Sequence, residues 1–584
     1  MRQMLKRLTS IRSILAVSLI AGALATAVVS FSASAPGVTP KPDVLIQPKD
    51  NPVISERAAS IIEKRTTDGR AKVWVYFTDK GFTSQAGMAA AVSRENISLT
   101  PRAAARRAKV GRGQLEFLDM PVHQPYIDGV AAAGARVRHP SRWLNAVSVE
   151  IESDKLGILA ALPFVRKIAP VIGHKYKPVE TGPELPSETG SLERPAAPAN
   201  VALNYGSSLS QLQEINVPAV HQLGYFGQGV LVCMMDTGYR KNHVAFQTAY
   251  NEGRVLAEYD FIFDDSNTQD EAEDQPGQHN HGTYTWSTLG GQADGSLYGP
   301  AYGSEFILAK TEDIRSETQV EEDNWVAGME WAESFGASVI SSSLVYSDWY
   351  VYTDYNGDLC VTTIAADLAA TLGILVCNAN GNYGPAAGTL GAPADADSIL
   401  AVGAVNSTGD IAGFSSRGPT PDGRIKPEVC ARGVSTVCAS PANPAGFTTA
   451  SGTSLSTPLV GGCAAVLWSA HPLWTPMQVR EALMMTASIA TTPNNDFGWG
   501  IVDLLAAMDY GTDPGYIPGD LNYDAAIDLL DITMQIDIVF YGSPPPYPPG
   551  TPDINLDGLI SSLDIVFLID HVFRSGPPPP YPPG

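Results

Sequence analysis

The chain carries at residues 452–465 the sequence GTSLSTPLVGGCAA, which places one serine, Ser454, between a glycine turn and a run of small apolar residues. A run of this composition and length predicts a helix that is buried within the fold. The first N–H groups of a helix have no partner inside it and can stabilise a negative charge. We interpret Ser454 as a nucleophile beside an anion-binding site. From this stretch alone, the alternative is an ordinary Gly-Thr-Ser helix cap.

Three further stretches supply the groups that a serine nucleophile requires, which are a base, an orienting group for that base and an oxyanion donor. Residues 230–238 read VLVCMMDTG, a buried strand that ends in a carboxylate and a tight turn. Residues 279–284 read HNHGTY, with a histidine beside a glycine at a predicted helix start. Residues 374–384 read ILVCNANGNYG, a second buried strand that ends in a glycine-rich turn. The predicted orienting group, base and oxyanion donor are Asp236, His281 and Asn382.

Strand patterns alternate with helical patterns around these motifs. The predicted strands include 230–235, 306–309, 337–341, 374–377 and 399–405, and the predicted helices lie at 324–335 and 362–372. Such alternation is typical of βαβ units, so we predict an α/β fold with a parallel sheet and helices on both of its faces. Side chains at the carboxyl ends of parallel strands meet at one edge, which is where such folds place their sites.

The order Asp, His, Ser and the strings DTG, HGT, GN and GTSLSTP together resemble the subtilases, the subtilisin-like serine peptidases. The strings FSSRGP at residues 414–419 and KPEV at 426–429 extend the resemblance over roughly residues 204–510. The resemblance implies that Ser454 attacks the peptide carbonyl and that His281 transfers the proton. It also implies that Asp236 orients the imidazole, that Asn382 and the Ser454 N–H hold the oxyanion, and that this chemistry needs no cofactor.

The same resemblance indicates a substrate cleft. The residues that it assigns to this cleft are Ser343, Leu344, Val345, Ala379, Gly381 and Gly391. None of the pocket residues is charged or large, so we expect a bulky apolar or aromatic residue before the cleaved bond. Val345 replaces a glycine of the family pattern, and Tyr284 and Trp286 replace a histidine or small residues after HGT. These departures affect the expected substrate preference and the packing behind His281, and none of them touches a proton-transfer atom.

The N-terminal residues have the composition of an export signal. Four basic residues precede an uncharged stretch at 13–35 that ends in Ala33-Ser34-Ala35, which resembles a cleavage site. We predict a signal peptide at residues 1–35 and a secreted protein, in the extracellular space or associated with a cell surface. The alternative is an uncleaved membrane anchor, because the apolar run is long.

Residues 36–174 show an α+β pattern, with a strand at 71–77, a basic helical stretch at 102–117 and strands between 137 and 171. Its position between an export signal and a subtilase-like region resembles a propeptide of that family, which assists folding and blocks the cleft. A separate binding domain is the alternative. Residues 175–203 are rich in Pro, Glu, Ser, Gly and Ala, so we interpret them as an exposed linker in which the protein cleaves itself.

The chain has six cysteines, all between residues 233 and 463. Cys233, Cys377 and Cys463 fall within buried patterns, where cysteine commonly acts as a small hydrophobic residue. In an exported protein Cys430 and Cys438 are near enough in sequence to form a local disulfide bridge.

The C-terminal residues contain a tandem repeat at 520–531 and 553–564, and each copy precedes an apolar segment. Oxygen ligands at positions 1, 3, 5 and 12 and a backbone carbonyl at 7 match the spacing of a calcium-binding hand. Residues 516–584 resemble a type I dockerin, which implies bound Ca²⁺ and a cohesin-like docking partner. Ala525 stands where such loops usually have glycine, which weakens the first loop. The predicted ligands are Asp520, Asn522, Asp524, Ala526 and Asp531, then Asp553, Asn555, Asp557, Leu559 and Asp564.

Charge is unevenly distributed along the chain, whose net charge is −23. Residues 1–200 contain 27 Lys and Arg against 17 Asp and Glu, whereas residues 201–584 contain 11 against 44. Opposite charges can speed the docking of the propeptide onto the rest of the chain. An acidic surface that merely keeps an exported protein soluble is an equal alternative. The acidic stretch 260–274 we interpret as a solvated loop; a metal site is the alternative, although the spacing fits no strict template.

These observations together predict a secreted subtilisin-like serine endopeptidase, made as a zymogen, that hydrolyses peptide bonds of proteins or peptides. Its expected partners are its substrates, its own propeptide and a docking protein, with no nucleic acid and no membrane once the signal is removed. Two alternatives remain. One is a catalytically silent adhesion or scaffold protein that retains the fold, and the other is a maturation protease with one dedicated substrate.

Overall fold

The computed structural model of the protein describes residues 45–174, 179–185, 203–315, 320–347, 350–510, 519–521, 527–541, 554 and 560–574. The first of these ranges forms an α+β unit. Its elements are α1 (Glu56–Arg65), β1 (Arg70–Phe77), α2 (Gln85–Glu95), α3 (Pro101–Ala108), α4 (Gln124–Ala132), β2 (Arg136–Ser141), β3 (Ala146–Glu152), α5 (Leu156–Ala161) and β4 (Val165–Pro170). Strands β1 to β4 pair antiparallel in the order β2-β3-β1-β4. The helix predicted over 102–117 ends earlier, because Gly111 takes a left-handed φ of 71°.

Two short strands, β5 (Gly173–His174) and β6 (Glu180–Thr181), follow this unit. The large α/β region comes next in the chain. Its helices and strands are α6 (Leu209–Gln213), α7 (Val217–Gln222), β7 (Leu231–Asp236), α8 (Val244–Asn251), β8 (Val255–Asp260), α9 (Asn280–Gly290), β9 (Gln292–Ala293), β10 (Leu297–Tyr298), β11 (Glu305–Lys310), β12 (Val320–Glu321), α10 (Glu322–Phe335), β13 (Val339–Ser342), α11 (Val361–Thr371), β14 (Leu375–Ala379), β15 (Leu400–Val405), β16 (Val429–Arg432), β17 (Thr436–Ala439), β18 (Phe447–Ser451), α12 (Thr453–Ala470), α13 (Pro476–Met485) and α14 (Leu504–Met508).

A sheet of seven strands organises this region within the described residues. Its order is β16-β15-β14-β13-β7-β11-β8, and every neighbouring pair is parallel. All six residues of β7 are buried, as expected for a central strand that is covered on both faces. The predicted α/β class is therefore confirmed.

The two faces of the sheet belong to two apolar clusters. One cluster contains α12 residues, among them Leu459, Cys463 and Trp468, packed with residues of α9, α13 and α14. The other contains Trp325 and Met329 of α10 and residues of α11. The helix that the sequence predicts after Ser454 thus lies within α12, whose first sixteen residues are buried. Small side chains allow this helix to approach the sheet closely.

The N-terminal unit packs on the second of these faces. Trp74, Tyr76 and Trp143 belong to the same apolar cluster as α10 and α11. Arginines of this unit meet carboxylates of the α/β region, among them Arg138 with Asp323 at 2.8 Å. The opposite charges that the sequence indicated thus meet at this contact.

A buried cluster of charged side chains, which the sequence did not predict, also joins the two units. Glu333 of α10 accepts hydrogen bonds from Arg106 and Arg107 of α3 at 2.6 and 2.9 Å, and from Arg142 at 2.7 Å. Arg107 also binds Asp119. Because a buried charge needs hydrogen-bonded partners, this cluster fixes α3 in one orientation on α10.

Two expectations from the sequence are wrong. All six cysteines are free and buried, so Cys430 and Cys438 form no disulfide. They lie on β16 and β17, which belong to different sheets. The acidic stretch 260–274 is not a fully solvated loop, because Asp260 and Asp274 each lie 2.7 Å from the buried amine of Lys310.

The C-terminal described residues contain two helices, α15 (Leu529–Tyr541) and α16 (Ser562–Arg574). A small apolar cluster of Leu521, Ile532, Ile554, Ile565 and Leu568 joins them. Across the described parts of the chain, helices of sufficient length and apolarity to span a membrane are absent.

Candidate active site

Asp236 and His281 form the buried pair at the centre of the site. Asp236 is the last residue of β7, and His281 is the second residue of α9. The His281 Nδ1 atom lies 2.6 Å from the Asp236 Oδ1 atom. Two further groups hold the carboxylate, since the Thr237 N–H donates to Oδ1 at 2.7 Å and the Thr285 hydroxyl donates to Oδ2 at 2.8 Å. This arrangement fixes the orientation of the imidazole ring and can stabilise its charged form.

Glycine at position 282 allows α9 to approach β7 this closely. A Cβ atom at Gly282 would lie 2.1 Å from the Gly238 carbonyl oxygen and 3.1 Å from the Asp236 Cβ. The His-Gly pair in the sequence therefore has a steric reason. Thr285 was missed by the sequence reasoning, although its position four residues after His281 puts both on one face of the helix.

Ser454 is the second residue of α12 and is 4% exposed. The preceding turn residue, Gly452, has φ 156° and ψ 159°, a backbone conformation that is essentially restricted to glycine. The Ser454 hydroxyl donates to the backbone carbonyl of Ser343 at 3.3 Å. The serine thus stands at the start of a buried helix, as the sequence predicted.

Asn382 lies beside this helix start. Its Oδ1 atom accepts hydrogen bonds from the backbone N–H and the hydroxyl of Thr453, at 2.9 and 3.0 Å. The planar amide therefore turns its NH₂ group away from Thr453. An amide donor beside the N–H of Ser454 is the arrangement that stabilises an oxyanion in acyl transfer.

One cleft contains His281, Ser454 and Asn382 together, while Asp236 is fully buried. The lining of this cleft includes Val179, His281, Glu312, Ser343, Leu344, Val345, Ala379, Gly381, Asn382, Tyr383, Thr453 and Ser454. Five of the six predicted substrate-cleft residues line it, and Gly391 does not. A Cβ atom at Gly391 would lie 2.5 Å from a methyl group of Val345, so the Val345 side chain occupies the space beside that glycine. Glu312, Tyr383 and Thr453 were not predicted.

Val179 is the unexpected member of the cleft, because it lies in the stretch that the sequence predicts to be a linker. Its side chain packs against Tyr284, Cys438, Ala450 and Leu455. From Val179 the chain continues as β6, which pairs antiparallel with β18. No pattern in the sequence indicated this contact, since residues 179–185 contain neither an alternating apolar pattern nor a motif.

Three of the predicted calcium ligands are described, and all three are buried carboxylates: Asp520, Asp531 and Asp564. Asp531 accepts from the N–H groups of Leu521 and Asp528 at 2.6 and 2.8 Å. Asp564 accepts from those of Ile554 and Ser561 at 2.8 and 2.7 Å. The other predicted ligands, Asn522, Asp524, Ala526, Asp553, Asn555, Asp557 and Leu559, lie outside the described residues.

The matching hydrogen bonds at Asp531 and Asp564 support the internal repeat. Each of these aspartates, at position 12 of its loop, is bound to the residue at position 2 of the same loop. Buried carboxylate oxygens are the ligand type that Ca²⁺ prefers, so the described donors fit this ion.

Comparison with known proteins agrees with the geometry. The model of the subtilase family (peptidase S8) matches residues 227–500, that of the peptidase S8 propeptide domain of Bacteroidota matches residues 72–183, and that of the dockerin type I domain matches residues 518–573. The chain is 32% identical over 315 residues to subtilisin E of Bacillus subtilis, covering 53% of this chain and 73% of that protein. It is 32% identical over 300 residues to subtilisin of Bacillus pumilus, covering 51% and 97%. It is 29% identical over 283 residues to the serine protease AprX of Bacillus subtilis, covering 44% and 61%.

Proposed function

Because the chain belongs to the subtilase family of serine endopeptidases and carries the propeptide domain of that family, we propose that it is an exported zymogen with Ser454 as its nucleophile. The observation that supports this most directly is the 2.6 Å contact of Asp236 with His281, which lines one cleft together with Ser454 and Asn382. Such a cluster has the parts that acyl transfer requires.

The proposed reaction follows from these positions. His281 accepts the proton of the Ser454 hydroxyl as that oxygen attacks the peptide carbonyl, and then donates it to the leaving amine. Asp236, held by Thr237 and Thr285, keeps the imidazole oriented and stabilises its positive charge. The oxyanion receives hydrogen bonds from the Asn382 amide and the Ser454 N–H.

The first substrate in this proposal is the chain itself. Val179 lines the cleft beside Ser454, and it follows closely in the chain after His174 at the end of β5. These facts favour self-cleavage close to Val179, within the predicted linker 175–203. The propeptide then remains on α10 and α11 through buried ion pairs and acts as an inhibitor until it is removed.

We further propose that the C-terminal module binds Ca²⁺ and attaches the enzyme to a cohesin-like protein outside the cell. Asp520 and Asp531 would hold the ion in the first loop, and Asp564 in the second. Ca²⁺ would supply the positive charge that compensates these buried carboxylates.

The test is the N-terminal mass of purified protein from a host that lacks other extracellular proteases. We expect wild type to lose the residues before the self-cleavage point, whereas Ser454→Ala and His281→Ala keep them. Asn382→Asp retains the acceptor bonded to Thr453 but loses the donor, so it should fold normally and process slowly. If Ser454→Ala is trimmed as quickly as wild type, another protease makes the cut and the proposal of self-processing is wrong.

A peptide library separates the two other functions. A silent adhesion protein cleaves nothing and does not react with a serine-directed phosphonate. A dedicated maturation protease reacts with the phosphonate but cleaves very few library members. The proposed general endopeptidase does both.

A further inference from the structure

Residues 179–185 follow the edge strand β18 away from the reactive serine. Glu180 and Thr181 pair antiparallel with Ser451 and Ala450. Beyond this pair, the Gly182 N–H donates to the Thr449 carbonyl and the Leu185 N–H donates to the Phe447 carbonyl, both at 2.7 Å. The segment is therefore bound to β18 through Glu180, Thr181, Gly182 and Leu185, in the way that extended peptides bind to a sheet edge.

We propose, on the premise that Ser454 cleaves peptide bonds, that β18 and residues 440–443 bind the part of a substrate that follows the cleaved bond. We name this surface the β18 track. In the proposal, the track selects three features of the substrate: a compact apolar residue next to the serine, a glycine three residues later and a carboxylate two residues after the glycine. The segment from Val179 to Leu185 shows the path that this part of a substrate would follow along β18.

The first feature is selected by an apolar contact. The Val179 side chain packs against Tyr284, Ala450 and Leu455, each less than 9% exposed. Tyr284, at a position where the sequence departs from the family pattern, is part of this apolar contact. A charged residue here would lose its hydration without gaining a partner, so it is disfavoured.

The second feature follows from the close approach of two backbones. A Cβ atom at Gly182 would lie 2.2 Å from the Thr449 hydroxyl oxygen, well inside van der Waals contact. The Thr448 hydroxyl donates to the Gly182 carbonyl at 2.9 Å and fixes the peptide at this depth. Any residue other than glycine must therefore displace Thr449 or lift the strand.

The third feature is selected by two neutral donors. The Ser440 hydroxyl donates to one carboxylate oxygen of Glu184 at 2.9 Å, and the Asn443 amide donates to the other at 3.3 Å. Hydrogen bonds to an ionised acceptor are stronger than those between neutral groups. Glutamine at this position keeps the shape of glutamate but offers only one acceptor oxygen.

The experiment is a competition between peptides. The parent peptide carries the sequence of residues 171–188, and single variants carry Val179→Lys, Gly182→Ala or Glu184→Gln. The processed enzyme digests each variant together with the parent, and mass spectrometry gives the ratio of their kcat/KM values. Both peptides in a digest meet the same fraction of track that the enzyme's own residues 179–185 leave free, so the ratio of their rates does not depend on that fraction.

For wild type we expect the lysine and alanine peptides to be cut at least about tenfold more slowly than the parent, and the glutamine peptide about threefold more slowly. Two enzyme variants are matched to the peptides. Thr449→Ala removes the clashing atom, so the penalty on the alanine peptide should fall below about twofold. Asn443→Ala should reduce the penalty on the glutamine peptide and leave the other two unchanged. Labelling of Ser454 by a phosphonate verifies that both variants are folded.

Equal rates for all four peptides with wild type would show that the β18 track selects nothing, while the proposed function still stands. Penalties that persist unchanged in both matched variants would also overturn the proposal, since the selecting contacts would then lie elsewhere. If no peptide is cut and Ser454 is not labelled, the proposed function fails and this inference fails with it.

Discussion

The hydroxyl of Ser343 donates a hydrogen bond of 2.9 Å to the backbone carbonyl of Ser454. In an α-helix that carbonyl would accept from the N–H four residues later, which belongs to Pro458, and proline has no N–H. The wall of the cleft thus satisfies a helix carbonyl that the sequence leaves without its usual donor. This contact ties the backbone of the proposed nucleophile to the residues that line the cleft.

The first prediction concerns this hydrogen bond. Ser343→Ala should lower the free energy of unfolding by about 1–3 kcal/mol, because it leaves a buried carbonyl without a donor. In a Pro458→Ala background the same substitution should cost less, since the new alanine has a backbone N–H that can donate to the Ser454 carbonyl. Urea unfolding of the four proteins, each with Ser454→Ala to prevent digestion, measures the coupling. Equal costs in the two backgrounds would contradict this account.

The second prediction concerns the size of the residue before the cleaved bond. The sequence suggests a bulky apolar residue, but the Val345 side chain occupies the space beside Gly391. We therefore expect wild type to favour apolar residues of moderate size. Val345→Gly should raise the preference for phenylalanine over alanine by about tenfold, the scale of a few methylene groups in a pocket. A library profile measures this shift, and preferences after the cleaved bond serve as the internal control. A profile dominated by lysine or arginine would refute the apolar assignment.

The third prediction concerns the buried arginines of the propeptide. Arg106 donates to Glu333 and to the carbonyls of Ala337 and Leu372, so Arg106→Ala leaves three buried acceptors without this partner. We expect the Ki of the propeptide for the processed enzyme to rise by about a hundredfold, equivalent to about 3 kcal/mol. Arg102, half-exposed beside Glu305, is the matched control, and Arg102→Ala should change Ki by less than about fivefold. Similar effects of both substitutions would mean that the buried cluster contributes no more to propeptide affinity than an exposed ion pair does.

The fourth prediction concerns pH. Glu322 accepts hydrogen bonds from two N–H groups of the propeptide, those of Trp74 and Ile172, and from the hydroxyl of Tyr350. Burial raises the pKa of Glu322 to about 7. Burial also raises the pKa of Glu330, which faces Ser141, Arg142 and Trp143. Release of the propeptide returns these groups to water, so the complex holds protons that the free enzyme loses. Propeptide affinity should therefore be complete below about pH 4.5 and fall as pH rises through about 7.

The Ki of the propeptide measured from pH 4.5 to 8 checks this prediction. Glu322→Gln should reduce the dependence of the Ki on pH, and the pH dependence that remains is the contribution of Glu330. Asp323 does not interfere, because Arg138 lowers the pKa of Asp323 and its titration falls below this window. A Ki that stays constant across the range in wild type would refute the linkage.

The fifth prediction concerns calcium. Circular dichroism of residues 516–584 should show helicity that rises with Ca²⁺ and falls with a chelator, because the small apolar cluster there cannot by itself offset the repulsion of the buried carboxylates. Asp553→Ala should reduce Ca²⁺ affinity more than Asp520→Ala if Ala525 has already weakened the first loop. Helicity that is insensitive to the chelator would contradict the proposal.

The sequence by itself determined the parallel sheet and the candidate residues of the site. Both depend on local signals: buried strands such as β7 are continuous apolar runs, and Asp236, His281 and Ser454 each stand in a short motif at a strand end or a helix start. The helix after Ser454 was predicted for the same reason, since its small apolar residues leave few alternatives to burial.

Only the tertiary structure decided which distant residues meet. Cys430 and Cys438 are close in sequence but lie in different sheets, whereas Val179 and Ser454 are far apart in sequence and share one cleft. The buried cluster of Arg106, Arg107 and Glu333 and the role of Ser343 beside Pro458 depend likewise on packing between elements. Periodicity and motifs record what each segment forms locally, while the partner of a buried charge or an unsatisfied carbonyl depends on which surfaces the whole fold brings together.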